Sequence, residues 1–178
     1  MAWYALPREL SLSSNGRLLQ HPIQEAVKLR QQQSTFPALA HGSQVEIIAR
    51  CARPNHSGSW PATGLLAVKT LQANTGQALT LGYEFSGATI RGFADVPASL
   101  SVLGARKDMT PALLHLAAEG TELELRVFVD GHMAESFFGG HAVITTITSN
   151  TLPSASVGST FINSAGLTCN VSSWTLAL

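Results

Sequence analysis

From Ser43 onward, apolar residues alternate with polar ones in short runs that turn residues interrupt. The run SQVEIIARCA places Val45, Ile47 and Ala49 on one side of an extended chain, and TELELRVFVD repeats the pattern. Side chains of a strand point alternately to its two faces, so each run predicts a strand with one buried face. Many short strands with turn signals every ~8–12 residues are typical of a sandwich or barrel. We therefore predict an all-β fold, a two-sheet antiparallel β-sandwich of the jelly-roll or concanavalin-like kind.

The first part of the chain has a different pattern, which predicts a division into residues 1–40 and 41–178. Asn15-Gly16 lies between two short runs and favours a tight hairpin turn. Pro22 suits the first position of a helix. One face of this short N-terminal helix carries Ile23, Ala26, Val27 and Arg30. The polar run Gln31-Gln32-Gln33-Ser34 then predicts a connector into a sandwich over 41–178.

The charge balance excludes several classes of partner. The 178 residues include 11 basic and 11 acidic ones, so the formal net charge is zero. Such a chain has no electrostatic footprint for nucleic acid or for an anionic membrane surface. No apolar run approaches the ~18 residues of a membrane span, and the N-terminus lacks a secretion signal. The expected compartment is the cytosol as the chain is written, or extracellular or vacuolar space if an N-terminal part is missing.

The cysteines and histidines show no metal-binding pattern. Cys51 and Cys169 lie far apart, which favours two buried free thiols and leaves a disulfide open. The six histidines lack ligand spacing, so we expect no metal and no cofactor. Two glycosylation triplets occur, Asn55-His56-Ser57 and Asn170-Val171-Ser172, and they matter only in a secreted protein.

The stretch LRVFVDGHMAESFFGG, residues 125–140, carries the densest set of polar groups on a predicted hairpin. With Asp130-Gly131 as the central turn residues, Arg126 faces Glu135 across the strands. Three interpretations are open: a cross-strand ion pair between Arg126 and Glu135, a sugar-binding cluster of these two residues with Asp130 beside an aromatic platform, or a glycosidase pair of the two carboxyls Asp130 and Glu135. Phe128 and Phe137 would form the platform. Trp60, in the loop SGSWPATG, is a further candidate for stacking on a sugar.

The same stretch resembles the segment L-R-x-F-x-D-x-S-x-x-E-x-F near the end of glycoside hydrolase family 32, the family of invertases, fructan hydrolases and levanases. Arg126, Asp130, Glu135 and Phe137 match this segment, whereas Gly131 and His132 replace its usual Arg and Ser. The stretch LPRELSLSSNGRLLQHPIQEAVKLR is similar to the family's joint between propeller and sandwich, with L-P-R-E, then N-G-x-L, then P-x-x-E-x-x-x-L-R.

This resemblance implies a C-terminal β-sandwich without a catalytic residue of its own. The family's catalytic carboxylates lie in an N-terminal five-bladed propeller, and none of the propeller's acid motifs occurs here. The implied partner is that propeller, in cis or lost, or a second copy of the chain, with a fructan or fructoside as a possible ligand. The alternatives are a stand-alone fructan-binding lectin and a plain interaction domain. The expected carbohydrate-binding residues are Arg126, Asp130, Glu135 and Trp60.

Overall fold

A computed structural model describes residues 5–54, 59–71, 78–87, 89–97, 106–108, 121–147 and 158–177. These residues form one short 3₁₀ helix, Gln24–Leu29, and thirteen strands. The strands are β1 (Arg8–Leu12), β2 (Leu18–Pro22), β3 (Arg30–Thr35), β4 (Gln44–Ala52), β5 (Thr63–Leu71), β6 (Ala78–Ser86), β7 (Thr89–Asp95), β8 (Arg106–Asp108), β9 (Glu122–Asp130), β10 (Met133–Phe138), β11 (Ala142–Ile147), β12 (Ser159–Asn163) and β13 (Thr168–Leu176).

Two antiparallel sheets make the sandwich, which confirms the predicted all-β fold. The six-stranded sheet has the order β11-β10-β9-β4-β13-β3, and the five-stranded sheet has the order β12-β5-β6-β7-β8. Strands β1 and β2 form a separate hairpin. Every pairing between the named strands is antiparallel, as the short turn-separated runs predict.

The main core lies between the two sheets and follows the alternation seen in the sequence. Ile47 on β4 and Val127 on β9 are fully buried in one apolar cluster with Leu66 and Leu81 of the other sheet. Tyr83 of β6 crosses this core and donates its hydroxyl to the carbonyl oxygen of Glu124 at 2.9 Å. Its complete burial raises the pKa of the Tyr83 phenol far above the ordinary value, so the group remains a neutral donor.

The two cysteines form a disulfide, so the expectation of free thiols is wrong. Cys51 and Cys169 lie directly opposite each other on β4 and β13, with 4.0 Å between their Cα atoms. They are 118 residues apart in sequence, and only the pairing of a central strand with the last strand brings them together. Sequence spacing carries no signal for such a contact.

The N-terminal segment, residues 5–29, folds against the six-stranded sheet. The predicted hairpin is present, with Gly16 at φ +76° in the loop between β1 and β2. The predicted helix is a 3₁₀ turn that ends at Leu29. The polar run Gln31–Ser34 is not a connector, because β3 pairs with β13 and forms an edge of the six-stranded sheet. A polar edge strand lacks the apolar alternation by which strands are recognised. No helix in the described part of the chain has the length and apolar character of a membrane span.

Candidate functional site

The polar groups of interest lie on the outer face of the six-stranded sheet, the face turned away from the five-stranded sheet. Strand pairing sets up a row of side chains across this face. The row runs Thr145, Glu135, Phe128, Glu46, Trp174 and Gln33. Two carboxylates in it, Glu46 and Glu135, are 0% and 1% exposed. Buried carboxylates are stable only when donors surround them, so their partners decide what the face does.

Glu135 is bound entirely by other groups of the chain. Its Oε1 accepts hydrogen bonds from Arg8 Nη2 at 2.8 Å and from the Thr145 hydroxyl at 2.7 Å. Its Oε2 accepts the backbone N–H of Leu6 at 2.7 Å. Two of these three donors come from the N-terminal segment, so Glu135 attaches that segment to the sheet.

Glu46 forms a second attachment, which joins the edge strand β3 to β9 through two arginines. Arg30 donates Nε and Nη2 to the two carboxylate oxygens at 2.6 and 2.9 Å, and Arg126 donates Nε to Oε1 at 2.5 Å. The Arg30 guanidinium lies 3.9 Å from the centre of the Trp174 ring, which stacks against it. We call these two attachments, Arg8–Glu135 and Arg30–Glu46–Arg126, the clasp.

The predicted pair between Arg126 and Glu135 is wrong, although both lie on the same face as expected. Asp130 pairs with Met133, so Gly131 and His132 are the central turn residues, one position later than predicted. Glu135 therefore faces Phe128, and Arg126 faces Phe137. The physical reason is β4, which pairs with β9 as far as Asp130 and keeps that residue in the strand.

The clasp has an apolar companion. Ala26, Phe128, Phe137 and Leu176 form a small buried cluster separate from the main core, and Leu6, Ile23 and Leu29 pack against it. The N-terminal segment thus covers this part of the outer face with both apolar and ionic contacts. We did not predict either arginine partner, Arg8 or Arg30. The one available signal was a lone Glu46 inside the apolar run VEIIA, since a charge there demands a partner.

A cavity of about 180 Å³ lies between this segment and the sheet. Its lining is Ala5, Leu6, Pro7, Phe128, Asp130, Met133 and Glu135. Asp130 is exposed, and only its Oδ1 accepts a hydrogen bond within the described residues, from Gln44 Nε2 at 3.2 Å. The cavity therefore offers an apolar wall and one accessible carboxylate oxygen, because both oxygens of Glu135 already have partners.

Trp60 lies apart from this cavity. It packs against the main core between the sheets, with its ring 6.5 Å from that of Phe85. The Arg53 guanidinium carbon lies 5.7 Å from the centre of the Trp60 ring. The structure thus brings Asp130 and Glu135 together at one cavity, places Arg126 in the clasp, and leaves Trp60 at a different place. Among the described residues, no group of three or more His, Cys, Asp and Glu side chains is arranged to hold a metal ion.

The hairpin carries a patch of exposed leucines. Leu12 and Leu18 face each other across β1 and β2 and are 70% and 54% exposed. Leu10 lies two residues before Leu12, on the same face of the hairpin, and is 61% exposed. Apolar side chains grouped in this way mark a surface that another protein surface can cover.

Comparison with known proteins gives a consistent result. Residues 16–176 match the family described as glycosyl hydrolases family 32 C terminal. The fold is similar to fructan 1-exohydrolase IIa from Cichorium intybus, with 17% identity and a TM-score of 0.64 over 97% of this chain and 40% of that one. A glycoside hydrolase family 32 structure from Bifidobacterium adolescentis shows 19% identity and a TM-score of 0.61, over 97% of this chain and 25% of that one. A search of curated proteins finds no match. The chain thus spans less than half the length of these two solved structures.

Proposed function

Because the chain belongs to the C-terminal domain family of glycosyl hydrolases family 32, we propose that it is the non-catalytic accessory sandwich of a β-fructofuranosidase-type enzyme. Its role is to pack against the catalytic propeller and to hold it in a fixed orientation. The clasp carries this proposal. A domain joined ahead of residue 5 is attached to a segment that Glu135 fixes to the sandwich through Leu6 and Arg8, so the two domains cannot turn freely.

The exposed leucines of the hairpin support the same role. Leu10, Leu12 and Leu18 lie on the N-terminal segment itself, on the hairpin that follows the point at which a preceding domain would connect. Covering three large apolar side chains removes their cost of exposure to water. We propose that the propeller covers them, with a second copy of this chain as the competing occupant.

The test is to express the reading frame that leads into residue 1, with and without residues 1–178, and to assay sucrose and inulin hydrolysis. The proposal predicts an upstream propeller with the family's acid motifs, no fructose release by residues 1–178 alone, and a lower Tm of the propeller when they are removed. Fructose release by residues 1–178 alone would contradict it. An L12S/L18S variant of the joined protein should lower the Tm as well, while light scattering of the isolated chain detects self-association.

A fructoside-binding role at the cavity is the second candidate, favoured by the accessible Asp130 oxygen beside Phe128 and Met133. Sugars present hydroxyl groups and apolar C–H faces, which suits one carboxylate next to an apolar wall. Because Glu135 and Arg126 belong to the clasp, they would shape this site rather than contact the sugar freely. Trp60 would make a separate contact elsewhere.

Calorimetric titration with inulin and levan tests this second role. D130A should abolish saturable binding without loss of fold, because Asp130 is exposed. D95A is the matched control, since Asp95 is an exposed aspartate on β7 of the other sheet. Equal binding by both variants, or none by the parent chain, would remove the cavity from consideration as a sugar site.

A further inference from the structure

Strand β13 carries two features that are both typical of proteins made in the secretory pathway. Cys169 forms the disulfide with Cys51, and Asn170-Val171-Ser172 is an acceptor triplet for N-linked glycan. Structural disulfides form and persist in oxidising compartments, above all in secreted proteins and the lumen of the secretory pathway. That is also the compartment in which Asn-X-Ser triplets are modified.

The alternation of the strand separates the two features cleanly. Val171 is buried and belongs to the same core cluster as Cys51, the disulfide partner of Cys169. Asn170 points to the outer face and is exposed. A glycan on Asn170 therefore extends away from the core, and the adjacent disulfide does not compete with it for space.

Within the part of the chain that the structure describes, the surroundings of Asn170 leave this end of the outer face open. The edge strand β3 pairs with β13 only from Ser172 to Leu176, so it ends before Asn170. On the other side Asn170 faces Arg50, whose side chain is 54% exposed and pairs with Glu124 at 2.8 Å. The apolar cluster under the N-terminal segment involves other residues, Ala26, Phe128, Phe137 and Leu176. A hydrophilic, uncovered strip of strand is what a bulky glycan requires.

We propose that Asn170 is an N-glycosylation site and that the chain matures in the secretory pathway. The donor is an oligosaccharide linked to a lipid pyrophosphate. The Asn170 amide nitrogen forms a bond to the anomeric carbon and loses a proton. The bond between that carbon and the phosphate oxygen breaks, and the lipid pyrophosphate leaves with the electron pair.

A glycan on Asn170 keeps the β13 side of the outer face in contact with water when the chain docks on another domain. Strand β13 is separated from β10 by β4 and β9, about 14 Å at the usual spacing of strands. Gly140, in the turn after β10, accepts a hydrogen bond from the backbone N–H of the hairpin residue Gln20. The glycan would thus lie across the sheet from the hairpin leucines, and it leaves them free to dock.

The experiment is to secrete the full chain from a eukaryotic cell behind a secretion signal and to map its peptides by mass spectrometry. We expect glycan on the majority of Asn170 peptides and conversion of Asn170 to Asp by peptide N-glycosidase. Asn55 lies in the other triplet and on a different peptide, so its occupancy is scored separately. Asn163, on β12, is an asparagine without the triplet and is the internal negative control.

Two substitutions at one position provide the matched variants. S172A should remove the glycan from Asn170 while leaving the asparagine in place, and S172T should keep it. A secreted chain with an intact Cys51–Cys169 disulfide and an unmodified Asn170 overturns the proposal. Modification of Asn170 that persists in S172A overturns it as well, because the linkage would then not depend on the triplet.

Discussion

Glu135 is a buried charge whose role depends on partners that lie far away in the sequence. Its position in the run HMAESFF predicts a sheet face, and the structure agrees with that face. Its partner Arg8 is 127 positions away, so the sequence did not indicate which cation would neutralise it. A polar group among apolar neighbours therefore predicts that a partner exists and leaves its identity to the tertiary structure.

We expect E135A to lower the free energy of unfolding by about 3 kcal/mol, because it removes the carboxylate partner of Arg8 and the acceptor of the Leu6 N–H. Urea denaturation measures this change. D130A is the control at the same end of the sheet and should cost no more than about 0.5 kcal/mol, since Asp130 is exposed. Equal losses in the two variants would mean that Glu135 does not hold the N-terminal segment.

The phenol of Tyr83 gives a prediction with a defined pH dependence. Its pKa is raised by burial, so the folded chain retains the proton where the unfolded chain loses it. Below the unfolded pKa, about 10, its contribution to stability is complete. Above that pH the free energy of unfolding falls by up to about 1.4 kcal/mol per pH unit.

Y83F lacks this ionisation and also the hydrogen bond to Glu124, which is worth about 1 kcal/mol. Urea titrations from about pH 8 to about pH 11 should show the parent chain losing its advantage over Y83F above about pH 10. Other titrating groups are common to both chains and cancel in the difference. A difference that stays constant across this range would contradict the burial of the phenol.

At the scale of the elements, strands were predictable and their register was not. The alternating runs gave β4, β9 and β10 and their buried faces. The turn between β9 and β10 is displaced by one residue because Gln44 pairs with Asp130, and the Gly131 N–H donates to Ser43 O at 2.8 Å. Both contacts come from β4 and the residue before it, more than 80 residues earlier, which local turn preferences do not include.

The pairing of β5 with β6 rests on a glycine without a side chain. A Cβ on Gly82 would collide with the backbone of Leu66 and Ala67 on β5, which cannot move aside. We expect G82A to cost at least about 3 kcal/mol or to prevent folding. G87A is the control, because Gly87 has φ +61° but open space, and it should cost about 1 kcal/mol. If G82A and G87A had the same urea midpoint, this close approach of β5 and β6 would be contradicted.

For the whole molecule, the resemblance predicted the family and the architecture. The long-range contacts between distant parts of the chain were seen only in the structure. The disulfide joins residues 118 apart, from a central strand to the last one. In the chain-entropy account such a loop contributes about 4–5 kcal/mol by restricting the unfolded chain. The free energy of unfolding in excess reductant should be lower by about that amount, whereas C51A/C169A should not respond to reductant. No effect of reductant on the parent chain would mean that the thiols are free.

The site was only partly predictable for the same reason. Arg126 and Glu135 were correctly placed on one face, because alternation fixes the face of a strand, whereas Asp130 was predicted in the turn and instead ends β9. The clasp partners Arg8 and Arg30 were not found, since Arg8 lies on a hairpin outside the sheet and Arg30 begins the polar edge strand β3. Both arginines nevertheless lie in the stretches that carry the family resemblance, LPRE and LR, which gives those stretches a physical role.

Amide hydrogen exchange of the N-terminal segment tests most directly whether it and the sandwich form one unit. Three N–H groups report on it: Leu6 bonded to Glu135, Gln20 bonded to Gly140, and Ile23 bonded to Pro7. The clasp predicts that the Leu6 and Gln20 amides exchange slowly, like those of β4, and that E135A accelerates Leu6 first. Exchange of all three at the rate of an unstructured chain, while β4 remains protected, would contradict the account.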